Sequence, residues 1–359
     1  MKYFHRSLAN AALIIALILG LHAVSGAQQA KTPLTMPETV RLLIAGRAMS
    51  ADEAGKLEKT LDADPQNLAA RVSLIAFYAA HHDEPSNSKK DDQALWFIRN
   101  LPDSEILQSI VQVRLHPVID KQFAAAKQLW LDNLDKYKGN ATVIGNAVDF
   151  FTIPDKPLTE KLINEAAELE PTNPRWPMEF GNLLMMETQR ANPEARRDIA
   201  ARAYEEYSRA YSMSGGDRYK PFILTRLPEA AFEAGDLKHA REWALEILSQ
   251  AAGNQRPTLL DGVHHAQIVL GRVALVNGDL KEAKERLMLA GQTAGSPALN
   301  SFGPNMALAK ELLDKGERET VIKYFQECAA FWMQKDKLDQ WTAQVKAGET
   351  PQFGANLIY

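Results

Sequence analysis

Three short glycine turns constrain this chain more than any other feature. Gly235-Asp236-Leu237, Gly278-Asp279-Leu280 and Gly316-Glu317-Arg318 each follow a helical apolar pattern. A glycine in that place ends a helix in left-handed backbone, and the acid after it starts the next. A second device lies elsewhere in the chain. Glu170-Pro171-Thr172-Asn173-Pro174 and Asp64-Pro65-Gln66-Asn67 stop a helix at proline and restart one at asparagine or proline. Two alternating turn chemistries imply one helix–turn–helix unit used repeatedly. A unit of that kind cannot cover its own apolar side, so its copies must stack.

Helix starts are as plain as the stops. Ser50-Ala51-Asp52-Glu53 is a capping box, with serine taking an orphan amide while Glu53 reaches back. Asn192-Pro193-Glu194 sets a cap, a first-turn proline and a first-turn acid in the favoured order. Asp103 is expected to cap a helix through Ser104-Glu105-Ile106-Leu107, and Thr258 one that runs to Asn277. The pattern gives about seventeen helices. Alternating runs bounded by turn residues do not recur, which argues against a sheet. The expected fold class is all-α: an α-solenoid of about six irregular helix hairpins.

The residues inside the hairpins resemble tetratricopeptide repeats, whose unit is about 34 residues. From Asn140 to Asn173, Val143, Ala147 and Phe150 lie on the first helix, Ile163 and Ala166 on the second, and Pro171 closes. Asn146 and Thr159 depart from the usual apolar and small residues. The unit from His264 has Leu270-Gly271 on helix one and Ala283, Leu287 and Ala290 on helix two, with Ala274 where a large aromatic is expected. A third unit holds Leu227, Ala231, Ala240 and Ile247; Pro228 inside its first helix implies a late start or a kink. A fourth holds Leu308-Ala309, Leu312, Val321, Phe325 and Cys328. The glycine landmarks are 43 and 38 residues apart, so the units carry insertions. The resemblance spans most of 50–333 and is strongest over 140–333. Ser296-Pro297-Ala298-Leu299-Asn300-Ser301-Phe302-Gly303-Pro304-Asn305-Met306 and the tail Gly348-Glu349-Thr350-Pro351-Gln352-Phe353-Gly354-Ala355-Asn356-Leu357 are similar to segments of exported bacterial repeat proteins.

Export has its own signal. Lys2 and Arg6 precede the apolar run Ala11 to Leu21, and Ser25-Gly26-Ala27 supplies small residues for a peptidase. The run has 11 residues, against the roughly 20 of a bilayer-spanning helix, so cleavage after Ala27 is expected rather than a retained anchor. The remaining 332 residues carry a net charge of −6, without the basic surplus that nucleic acid or an anionic membrane demands. Cys328 is the only cysteine, so no internal disulfide forms and the core must hold the fold. That suits a bacterial envelope, periplasmic or secreted, better than a eukaryotic extracellular setting.

Motifs that carry chemistry are few. Phosphate loops, dinucleotide fingerprints, nucleophile elbows, zinc-protease helices and calcium loops are absent from the sequence. Ser86 and Lys89 have serine–lysine spacing but lie in a polar run without companion motifs. His81-His82-Asp83-Glu84 offers ligand types whose successive side chains point apart. Asp261, His264 and His265 share a helix face, where an acid near the helix start beside two partly exposed histidines is the plainer reading. Cys328 is in phase with Val321 and Phe325 and reads as a small core hydrophobe. Trp332 and Trp341 are placed to close the end of the stack, and Lys335 to Asp339 to be solvated surface.

The sequence therefore assigns no catalytic, cofactor-binding or metal-ligating residue. It divides into a signal peptide (1–27), a linker or first helix (28–49), the solenoid (50–333) and a C-terminal capping helix with tail (334–359). The expected function is a non-catalytic scaffold that takes a peptide or a partner protein in its groove. A receptor for glycans or small molecules, and a metal-dependent hydrolase or lyase built around Asp261 and His265, are the alternatives. The sequence leaves oligomeric state open.

Overall fold

In the computed structural model the described residues are 34–216, 219–252 and 257–357, with 257 and 258 described by backbone alone. The export signal falls outside them; Thr258, expected as a cap, is the second residue of the helix Pro257–Val276 and so does not cap it. Among the described residues are seventeen α-helices and no strand, each helix packed on its neighbours. The fold is all-α and of the solenoid kind. Contacts divide the chain between Glu170 and Pro171, at one of the proline turns, into two compact units.

The first unit holds α1 (Met36–Arg47), α2 (Ala51–Ala63), α3 (Leu68–Ala80), α4 (Glu84–Asn100), α5 (Phe123–Lys136), α6 (Ala141–Phe151) and α7 (Lys156–Leu169). The Ser50–Glu53 capping box forms as expected: Ser50 N–H donates to Glu53 Oε2 at 2.8 Å. Thr35 and Glu38 build a second box at the start of α1. Helices α1 and α3 meet at Gly46, where a Cβ would lie 2.3 Å from the Ser73 carbonyl oxygen. Helix α3 is buried continuously from Ala70 to Tyr78, as the central member of its group must be.

The helix expected after Asp103 does not form. Glu105–Gln108 and Val111–Val113 are single 3₁₀ turns, and Ser104, not Asp103, precedes the first of them. Tertiary packing overrides the local signal, since Ile106, Leu107, Ile110, Val113 and Leu115 are all buried and a straight helix could not turn them all inward. The departure at Asn146 belongs to this segment. Its buried Nδ2 donates to the Pro102 and Ser104 carbonyls, both at 3.0 Å. Asn146→Ala leaves both oxygens without that donor. We expect a loss of about 2 kcal/mol, read by urea denaturation, with faster hydrogen exchange over 101–115. At the other departure, the buried Thr159 hydroxyl donates to the Asp155 carbonyl one turn back.

The second unit holds α8 (Arg175–Thr188), α9 (Pro193–Met213), α10 (Lys220–Glu233), α11 (Leu237–Ala251), α12 (Pro257–Val276), α13 (Leu280–Gly291), α14 (Pro297–Phe302), α15 (Ala307–Asp314), α16 (Arg318–Cys328) and α17 (Lys335–Lys346). Its three glycine turns are copies of one geometry. Gly235, Gly278 and Gly316 have φ of 82°, 81° and 84°. The amide after each reaches the carbonyl five residues back: Asp236 to Ala231, Asp279 to Ala274, Glu317 to Leu312, at 2.9, 2.9 and 3.0 Å. Asp236 and Asp279 then cap α11 and α13 with their side chains. Gly348 (φ 88°) is a fourth copy, with Glu349 N–H on the Gln344 carbonyl at 2.9 Å. In the sequence Gly348 stands only as the first residue of the tail.

Alternate helices pack on their hairpin partner and on the same helix of the next hairpin, as α10 does on α11 and α12. Close approach is bought with a glycine: a Cβ on Gly271 would lie 2.2 Å from Leu308 Cδ2 and 3.3 Å from the Ala283 carbonyl. Leu270, Leu287, Ala290, Leu308, Ala309, Leu312, Val321 and Cys328 around it are fully buried. Helix α10 runs unbroken through Pro228, so a late start is ruled out. The ring still removes the amide that would pair with the Leu224 carbonyl.

The two segments set apart in the sequence, 296–306 and 348–357, come together. Met306 N–H donates to the Asn356 carbonyl at 2.7 Å, and Asn356 Nδ2 donates to the Pro304 and Phe302 carbonyls at 3.0 and 3.2 Å. Phe353 stands edge-on to Trp341, centroids 4.9 Å apart, and Trp341 is 5.5 Å from Trp332. Both tryptophans are buried.

Candidate functional site

Several sequence candidates resolve into structural roles. Asp83 caps α4 by accepting the Ser86 amide at 2.8 Å, and Glu84 pairs with Lys121. His81 Nδ1 pairs with the Phe77 carbonyl at 2.8 Å and its ring packs on Phe77. Lys89 is engaged by Glu58 at 2.6 Å, which places it in an ion pair rather than beside Ser86 as a base. Cys328 is fully buried, and burial pushes its thiol up, away from the reactive thiolate.

Asp261, His264 and His265 divide into two roles. His264 is fully buried, not partly exposed as its sequence position implied. Its Nδ1–H donates to the Ala290 carbonyl at 2.9 Å, and its Nε2 accepts the Asn305 amide at 2.9 Å. Both ring nitrogens are used only in the neutral form, and burial pushes its pKa down to about 4. The Asn305 carbonyl in turn accepts the Tyr324 hydroxyl at 2.8 Å. His264 is thus a buckle under the 296–306 segment. His265 is partly buried; burial first, then His264 and Arg226, push it down to about 3. Asp261 accepts the Ser296 hydroxyl, and burial raises its pKa against the opposing pull of that bond and of Arg226.

Arg226 links this pair to a cleft of ≈ 430 Å³ between α8, α9 and α10. Asn182, Met185, Met186 and Gln189 form one wall, Arg226, Glu229 and Glu233 another, with Arg196 and Tyr207 below and Leu357 of the tail at the edge. Tyr207 donates to Asn182 Oδ1 at 2.9 Å, and Arg196 Nε to the Thr188 carbonyl at 3.1 Å, so these groups are held in place. Glu229 is partly buried, and its pKa is raised by burial and then by Glu233, with Arg272 and Arg226 opposing. The sequence reading missed Arg226 and Glu229. They are the only two charges in the largely apolar stretch from Phe222 to Phe232, and that interruption was the available signal.

A charged ladder runs on from the cleft across α10, α12 and α15. Arg272 donates to Glu233 at 3.0 Å and to Glu311 at 2.8 Å, three residues each 39 apart in sequence, one from each helix. Burial works against the Arg272 charge, but Glu311 and Glu233 outweigh it and its pKa is raised. The guanidinium also lies 4.1 Å from the centroid of Phe232. Arg272→Met strands two carboxylates that are 19% and 32% exposed and so regain some water. The expected cost is about 2 kcal/mol, below that of a fully buried pair, and a salt-dependent shift in thermal midpoint checks it.

Among the described residues no group of three or more histidine, cysteine or acidic side chains is arranged to hold a metal ion, and no helix is long and apolar enough to cross a membrane. Compared with protein-family models and with curated proteins, the chain matches none.

Proposed function

We propose that the chain is an exported, non-catalytic interaction scaffold of the tetratricopeptide kind, which takes a peptide or a partner protein on the face formed by α8, α10 and α12. One observation carries the reading: the cleft gathers flexible methionines and fixed polar groups on consecutive hairpins, while the second helices of those hairpins, α9 and α11, bury their alanines in the stack, α9 adding only Arg196 and Tyr207 to the cleft. Methionine adapts to varied apolar partners, and the amides and charges around it give direction. The leader expected over 1–27 would deliver the protein to the periplasm or beyond.

Affinity capture from the native envelope fraction tests it, with wild-type protein beside a Met186→Glu, Gln189→Glu variant. The proposal expects one partner set retained by the wild type and lost by the variant, and a mature chain that begins at Gln28. Identical capture by both proteins, or a cytosolic chain that retains Met1, contradicts it.

A further inference from the structure

Several charged groups of the second unit are paired with one another. Arg272 serves Glu233 and Glu311, and Arg241 and Arg286 share Glu282. Arg226 and Glu229 differ. Among the described residues neither makes a hydrogen bond or an ion pair, though they stand three apart on α10, where opposite charges commonly meet. Both line the same cleft, opposite Met185 and Met186. Arg226 is exposed and Glu229 half-buried, and Arg226 and Arg272 act on the Glu229 charge only through space, so a molecule that brings a carboxylate and an ammonium supplies hydrogen bonds that no side chain among the described residues supplies.

We propose that this cleft binds a short zwitterionic peptide, its carboxylate on Arg226, its ammonium on Glu229 and an apolar side chain against Met185 and Met186. The guanidinium fork matches a carboxylate with two parallel hydrogen bonds, and the Glu229 carboxylate accepts from an ammonium. Size sets the class. A cleft of ≈ 430 Å³ lies toward the lower end of the range of about 300–1,000 Å³ for small-molecule sites. It has room for a molecule of two residues but not for a folded domain, and Leu357 bounds it at one edge. Asn182, fixed by Tyr207, stands on the opposite wall as a further polar contact. The inference rests on α8 and α10 forming the binding face; it does not require a protein partner.

Calorimetric titration of the full mature chain with leucyl-leucine, N-acetyl-leucyl-leucine and leucyl-leucinamide tests it. The free dipeptide is expected to bind, and each blocked form to bind about tenfold more weakly or worse, because one charged hydrogen-bonded contact is lost. Arg226→Gln is expected to abolish the difference between the free and amidated forms, and Glu229→Gln that between the free and acetylated forms. Among the described residues neither side chain makes a hydrogen bond to another part of the fold, so thermal midpoints close to the wild type's confirm that both variants are folded. Equal binding of all three compounds, no binding of any, or selectivity unchanged in both variants overturns the inference. Capture of a protein partner through Met186 by a wild type blind to dipeptides overturns the inference while leaving the scaffold reading intact.

Discussion

Gly303→Ala is expected to lower the stability of the second unit by about 4 kcal/mol. Two costs coincide there. Gly303 has φ 97° and ψ −179°, a region that only glycine enters freely, and an alanine held in it is strained by about 1–3 kcal/mol. Its Cβ would also lie 2.4 Å from the Trp332 ring, which is buried against Trp341 and has no room to retreat. Overpacking of that kind costs about 1–3 kcal/mol more. Gly316→Ala is the control. Its φ of 84° is also left-handed, yet nothing lies within 4 Å of the new carbon, so the expected cost is about 1 kcal/mol. Urea midpoints followed by tryptophan fluorescence compare the two. Equal losses would mean that the ring contact carries no weight.

The second large effect is a loss of stability in mild acid. The folded state holds His264 neutral with a pKa of about 4, whereas the unfolded chain titrates near 6.5. A depressed histidine gives stability that is complete above the unfolded value. Between pH 6.5 and 4 the unfolded chain takes up a proton that the folded one refuses, so stability falls as pH falls through that window. The total from His264 is about 3 kcal/mol. His265 adds a loss of the same sign, and the raised pKa of Asp261 acts in the opposite sense at the acid end. His264→Gln removes the titrating group, so the slope of stability between pH 6.5 and 4 should flatten even though the variant starts lower at pH 7. A wild-type slope retained in the variant would assign the acid sensitivity to other groups.

What the sequence made legible was local chemistry. A Schellman turn needs a glycine at one position and is complete within six residues, so Gly235, Gly278 and Gly316 could be read directly. The Ser50–Glu53 box is local in the same way. Asp103 failed because the carbonyls on either side of it, Pro102 and Ser104, are held by Asn146, some forty residues on, whose amide was visible only as a departure from a pattern. His264 was read as partly exposed for the same reason: its two partners, Ala290 and Asn305, lie 26 and 41 residues away. The joining of 296–306 to 348–357 through Asn356 needed coordinates, although both segments stood out by resemblance. In the cleft, Arg226 and Glu229 were legible as charges, but not as charges that line one cavity without a hydrogen-bonded partner.

The measurement closest to the central claim is a site-directed photocrosslinking comparison in the native host. One protein carries the photoreactive residue at Met186, 41% exposed on α8 in the cleft. The other carries it at Lys281 on α13, whose side chain is 87% exposed on a second helix. The account predicts discrete adducts from position 186 and none from position 281. Adducts from 281 alone, or the same adducts from both, would contradict it.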